Sequence, residues 1–163
     1  MSRVVKVFAF TMVLGFVLAC GGTNPNPNVT PQAKIAHYGT DIAQGITTLQ
    51  QTVTQVRAAC LPCAPATDKI TDIDQQAVNK AKDLDQALRA YDTANSLSVK
   101  NVSAAQVQAN VAELTALLSD AFMVQIDNAM AAQVSQLISN VLALTATVSA
   151  EVAKGLSVTA GGF

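Results

Sequence analysis

Apolar residues recur along this chain with helical spacing in long blocks, separated by short interruptions. In the first block Ile35, Ile42, Leu49 and Val56 repeat every seven residues, and Gly39, Ile46, Val53 and Cys60 follow each by four. This is a narrow seam of the bundle or coiled-coil kind. Thr30 suits an N-cap and Pro31 the first helical position, where a missing N–H costs nothing. The opposite face is Gln, Thr and Lys, and its β-branched threonines lower helix propensity. Such a helix depends on packing.

Cys60-Leu61-Pro62-Cys63-Ala64-Pro65 interrupts the pattern and turns the chain. Asp68, Asp72 and Asp74 then crowd the start of a second helix, with Lys80, Lys82 and Arg89 later, as the helix dipole favours. The three aspartates read as dipole partners and surface charges. Ile70, Ala77, Leu84 and Tyr91, with Ala81 and Leu88, form its seam, and its end is expected near Asn95. Ser103-Ala104-Ala105-Gln106 has the form of a capping box flanked by Val102 and Val107 as a staple, which predicts a helix start there.

Helical pattern continues from there to Lys154, with Gly155 in the place of a C-terminal cap. Val107, Val111, Leu114 and Leu118 hold one register; Met130, Val134, Leu137, Val141, Leu144 and Val148 hold another, and the two disagree across Ser119 to Asn128. An unbroken helix here would be roughly 75 Å long against about 45 Å for each of the first two, so a break or kink is expected. Between Ala66 and Lys154 there is neither Pro nor Gly, which favours long helices over strands and turns. The prediction is an all-α, elongated, antiparallel up-and-down bundle over residues 31–155, of four helices or of three with a long kinked last one. Residues 156–163 are left as a tail.

The N-terminus has a different character. Arg3 and Lys6 precede an uncharged run, Val7 to Ala19, that is short for a membrane span and suited to an export signal. The run ends in Val17-Leu18-Ala19-Cys20-Gly21, and these residues resemble the lipobox of bacterial lipoproteins; Leu18 is bulkier than the usual choice there. The resemblance covers about 22 residues and implies a signal over 1–19 and acyl chains on Cys20, giving attachment to a membrane of the cell envelope. Gly21 in place of Asp points to the outer membrane if the cell is Gram-negative. Two or more acyl chains hold a protein stably where one does not. Residues 20–30, with Pro25 and Pro27 and no apolar period, read as the lipidated cysteine and a flexible tether.

Composition narrows the function classes. Of 163 residues 50% are hydrophobic and only 13% charged, with a formal net charge of −1; loss of Arg3 and Lys6 with the signal leaves 8 basic against 11 acidic residues. The apolar share excludes a disordered chain, and the absence of a basic excess removes the electrostatic footprint of a nucleic-acid partner. The same balance leaves the lipid, not charge, to supply membrane attachment. Ala129 to Ala150 carries no charge, and its polar interruptions at Gln133, Gln136, Ser139 and Asn140 fit an amphipathic bundle helix better than a span.

Candidate chemistry is sparse. Cys60 and Cys63 are an even pair in an exported, oxidising compartment, and a structural disulfide is expected, with free thiols or a redox or metal role as the alternatives. A redox Cys-x-x-Cys sits at a helix N-terminus after a strand, and zinc needs four ligands where only His37 could join. His37 reads as a solvated surface residue. No phosphate loop or nucleophile elbow is present in the mature chain, so no catalytic residue, cofactor or metal is expected. The leading reading is a noncatalytic envelope lipoprotein, possible also as a phage-encoded one, that works by contact with a protein partner or by self-association through the last helix. The alternatives are a bundle that binds a small apolar ligand and a thiol redox protein using Cys60 and Cys63.

Overall fold

Four helices follow one another in the computed structural model, which describes residues 31–160 and the side chains of 35 and 37–156: α1 (Pro31–Ala59), α2 (Ala64–Asp92), α3 (Leu97–Phe122) and α4 (Ala131–Ala160). A single 3-10 turn, Leu61–Cys63, joins α1 to α2. The signal, the lipobox at Cys20, the Thr30 cap and the last three residues lie outside the described residues.

Each helix packs against two neighbours, α1 on α2 and α4, and α3 on α2 and α4. Cross-helix contacts fix the directions. Arg57 meets Asp68 while Gly39 faces Asp85 and Leu88, so α1 and α2 run antiparallel. Lys80 pairs with Glu113 and Tyr91 underlies Lys100, which sets α3 antiparallel to α2. Gln108 bonds Ser149 while Thr115 faces Thr145, so α4 reverses again. The architecture is an up-and-down four-helix bundle, and helices of 26 to 30 residues make it roughly 45 Å long.

The core is the sum of four seams. On α1, Ile35, Gly39, Ile42, Ile46, Leu49, Val53 and Val56 are all buried, as the heptad spacing predicts. Ile70, Ala77, Ala81, Leu84, Leu88 and Tyr91 fill the α2 side, and Val107, Val111, Leu114 and Leu118 the α3 side. The threonines of α1 are accommodated by their own helix: Thr47, Thr48, Thr52 and Thr54 each donate a hydroxyl hydrogen bond to the carbonyl four residues back.

Several boundaries and registers differ from the expectation. α3 begins at Leu97, not at Ser103. Ser96, in extended backbone, accepts from the Val99 N–H at 3.3 Å and is the cap, while Ser103 is a buried residue within the second turn. The capping-box pattern is local, and residues 97–102 contain no breaker that would stop the helix from starting earlier. α2 begins at Ala64, which puts Asp68, Asp72 and Asp74 beyond its first turn. The last seam runs Val134, Ile138, Val141, Thr145, Val148, Val152; Leu137 and Leu144 are only half-buried beside it.

The expected break is present, with residues 123–130 nonhelical between α3 and α4. Gly155 does not cap α4, which continues to Ala160. Its missing side chain serves a close approach instead, since a Cβ there would collide with the Tyr91 hydroxyl.

Candidate functional site

The topology sorts the connections to two ends. One end holds the start of α1, the α2–α3 connection and the end of α4; the other holds the Cys60–Cys63 turn and the α3–α4 connection.

At the second end, Pro62 lies in the 3-10 turn and Pro65 near the start of α2, where neither needs an N–H partner. The Cys60 and Cys63 sulfurs are joined, with Cα atoms 5.3 Å apart. Cys63 is buried at the N-cap of α2, and its Sγ lies 3.6 Å from the Asp127 carbonyl oxygen of the α3–α4 connection. The disulfide therefore ties one interhelical turn where it touches the other. Beside this contact a half-open cavity of about 550 Å³ separates the end of α3 from the start of α4, lined both by apolar residues, among them Phe122, Ile126 and Ile138, and by the polar Gln125, Asp127 and Ser135. In the same connection Asn128 accepts from the Met130 N–H at 2.8 Å. No sequence pattern announced this cavity, because helix ends and an irregular connection form it.

His37 is exposed and pairs with Asp41 at 3.3 Å, 4 residues along the same helix. Nothing gathers it with Cys60 and Cys63: among the described residues no group of three or more His, Cys, Asp or Glu side chains converges as a metal site.

Asp74 is the residue whose role sequence reasoning misplaced. It is 1% exposed, and neither carboxylate oxygen closes a hydrogen bond among the described residues. Burial pushes its pKa up to about 7, with Gln50 of α1 pulling it partly back. Position 74 belongs to the row that includes Ala81 and Leu88, and extending that row by sevens finds both Asp74 and the equally buried Thr67. Thr67 differs in being satisfied, since its hydroxyl donates to the Ala64 and Cys63 carbonyls. Asp92, near the other end of α2, is raised to about 6, chiefly by burial and against the pull of Lys100.

The outward face of α4 has another character. Ala132, Gln136, Ser139, Ala143, Ala146, Ala150 and Ala153 line it, and no charged residue occurs from Asn128 to Ala150. Its polar groups are largely satisfied within the helix. Ser139 and Thr147 donate to the carbonyls of Ser135 and Ala143, and the Gln136 amide donates to Asn140 at 2.9 Å. By length and composition Ala131–Leu156 is apolar enough to cross a membrane, yet its other face is the core seam of the bundle.

No protein-family model matches the chain, and neither the curated proteins nor the solved structures contain a match.

Proposed function

We propose that this chain is a bacterial envelope lipoprotein, held to its membrane by acyl chains on Cys20, whose helical bundle works by contact with a protein and not by catalysis. The partner surface is the outward face of α4, and a second copy of the chain is its first candidate occupant. One observation carries this reading: a face of mostly small side chains, uncharged from Ala132 to Ala150, on which Ser139, Thr147 and one Gln136–Asn140 pair are bonded within their own helix. Covering such a face strands few polar groups, so the usual desolvation penalty is small. Small side chains also let a second helix approach closely. Cys20→Ser should release the chain from membranes, and in-membrane crosslinking should recover pairs. A chain that stays monomeric and captures no envelope protein overturns the reading.

The cavity at the α3–α4 end supports a second reading, a lipoprotein that takes up a small ligand whose apolar part would meet Phe122, Ile126 and Ile138 and whose polar part would meet Gln125, Asp127 and Ser135. Its volume lies within the range of about 300–1,000 Å³ usual for ligand sites. Lipid retained in native mass spectrometry of the purified chain, and lost in Val134→Phe, supports it; an empty chain ends it.

A further inference from the structure

Among the described residues the exposed large apolar side chains are Leu61, Leu97, Val99, Val102, Phe122 and Met123. All lie at the two ends of the bundle and none along its sides. Leu61, Phe122 and Met123 belong to the disulfide end; Leu97, Val99 and Val102 occupy the opening turns of α3 at the other end. Val99 and Val102 are β-branched, a disfavoured choice in an exposed helical turn, and they fill no gap in the bundle core.

We infer that the end carrying Leu97, Val99 and Val102 rests on the lipid bilayer, so that the bundle stands upright on the membrane that anchors it. The inference rests on the lipid anchor proposed above and adds the surface and the orientation. α1 starts at Pro31, at this same end. Ten residues separate Pro31 from Cys20, and however they are arranged they span no more than about 40 Å. The anchor therefore holds this end within that distance of the bilayer, whereas the disulfide end, about a bundle length further along the helices, is not so confined.

Three partly exposed side chains would bind a free bilayer weakly. Tethering changes this, because contact becomes intramolecular and the effective concentration of lipid is high. Two cations at this end are engaged by their own neighbours: Lys100 lies 5.0 Å over the Tyr91 ring and Lys154 is paired with Glu151. An upright bundle also leaves the α4 face parallel to the membrane normal, open to a neighbouring copy anchored in the same leaflet.

The chain has no tryptophan, so Val99→Trp and, separately, Phe122→Trp each supply a sole reporter, one at each end. The full chain, lipidated in a bacterial host, is reconstituted into phosphatidylethanolamine–phosphatidylglycerol vesicles with or without acyl-brominated phosphatidylcholine. The expected result is a blue shift and loss of most emission on bromination for Val99→Trp, with neither for Phe122→Trp. Val102→Trp repeats the measurement if Val99→Trp loses its helical circular dichroism. Unquenched emission at both 99 and 102 in protein that floats with the vesicles overturns the inference and leaves the anchor standing. Equal quenching at both ends means that the bundle lies flat, which also overturns it. Protein that does not float with the vesicles removes the anchor, and the inference with it.

Discussion

Tyr91 of α2 reaches across the bundle to Gly155 of α4, and its hydroxyl occupies the space where any other residue would carry a Cβ. The tyrosine is 3% exposed, so its ring has little room to retreat. Replacing a helical Gly by Ala ordinarily gains about 1 kcal/mol of helix propensity, whereas overpacking a core costs about 1–3 kcal/mol. Gly155→Ala should therefore destabilise the bundle by about 1 kcal/mol in urea unfolding. In a Tyr91→Phe background the clash is gone, because the next nearest atom, Cζ, is 3.5 Å away. There the same substitution should be neutral or stabilising, and equal effects in both backgrounds would refute the steric account.

Asp74 sets an acid-side preference for the fold. Its folded pKa of about 7 lies above the ordinary value of 3.8, so the folded state holds a proton that the unfolded chain releases. Stability from this group is then greatest below pH 4 and falls as pH rises through 7, by an amount on the order of 4 kcal/mol. Asp92, raised by burial to about 6, acts in the same direction. Urea midpoints measured from pH 4 to pH 8 should decline, and Asp74→Asn should remove the larger share of that decline, leaving the part due to Asp92, while raising stability at pH 8. A wild-type profile that is flat, or that rises with pH, would show that the carboxylate is solvated.

The same residue shows where sequence reading succeeds and where it stops. Three seams, and alternate positions of the fourth, were legible because Ile, Leu and Val at heptad spacing have one physical use in a helix, and the bundle follows from them. Asp74 lay on one of those rows and was set aside for its charge; position outweighed residue type. In α4 the error was the reverse. Leu137 and Leu144 are larger than Thr145 and drew the seam toward themselves, but Thr145 is the buried residue, its hydroxyl donating to the Leu142 carbonyl at 2.8 Å. Ser103 shows the limit of a short motif: four residues resemble a cap, yet the preceding six contain no Pro or Gly to keep the helix from starting earlier. The cavity was beyond reach, since it depends on how two helix ends meet a nonhelical connection.

The disulfide closes a very short loop, so its removal should matter modestly. Loop-closure entropy for so few residues gives a contribution of about 2 kcal/mol at most. Cys60→Ser should lower stability by up to that amount and leave the helical circular dichroism unchanged, since the seams above the turn are intact. The freed Cys63 thiol, unlike the disulfide sulfur, has a proton to donate to the Asp127 carbonyl 3.6 Å away, which keeps the two connections in contact. Loss of the folded state on reduction would mean that the turn, and not the core, holds the bundle together.

The face proposed for self-association can be tested without disturbing the core. Ala143 is exposed at the middle of the α4 stripe, and Ala116 is exposed on the outside of α3. Exposed surface substitutions change stability by about 0.5 kcal/mol or less, so Ala143→Glu and Ala116→Glu should unfold at nearly the same urea concentration. Their assembly should differ. A carboxylate at 143 in a close helix–helix contact has no cation to meet, because the same stripe on a second copy is uncharged over this stretch, and burying it unpaired is costly. Crosslinked pairs in membranes should disappear in Ala143→Glu and persist in Ala116→Glu. Pairs that survive both substitutions place the contact on another face, and pairs lost in both place it on α3 as well, where Lys80 and Glu113 already bridge the neighbouring helices.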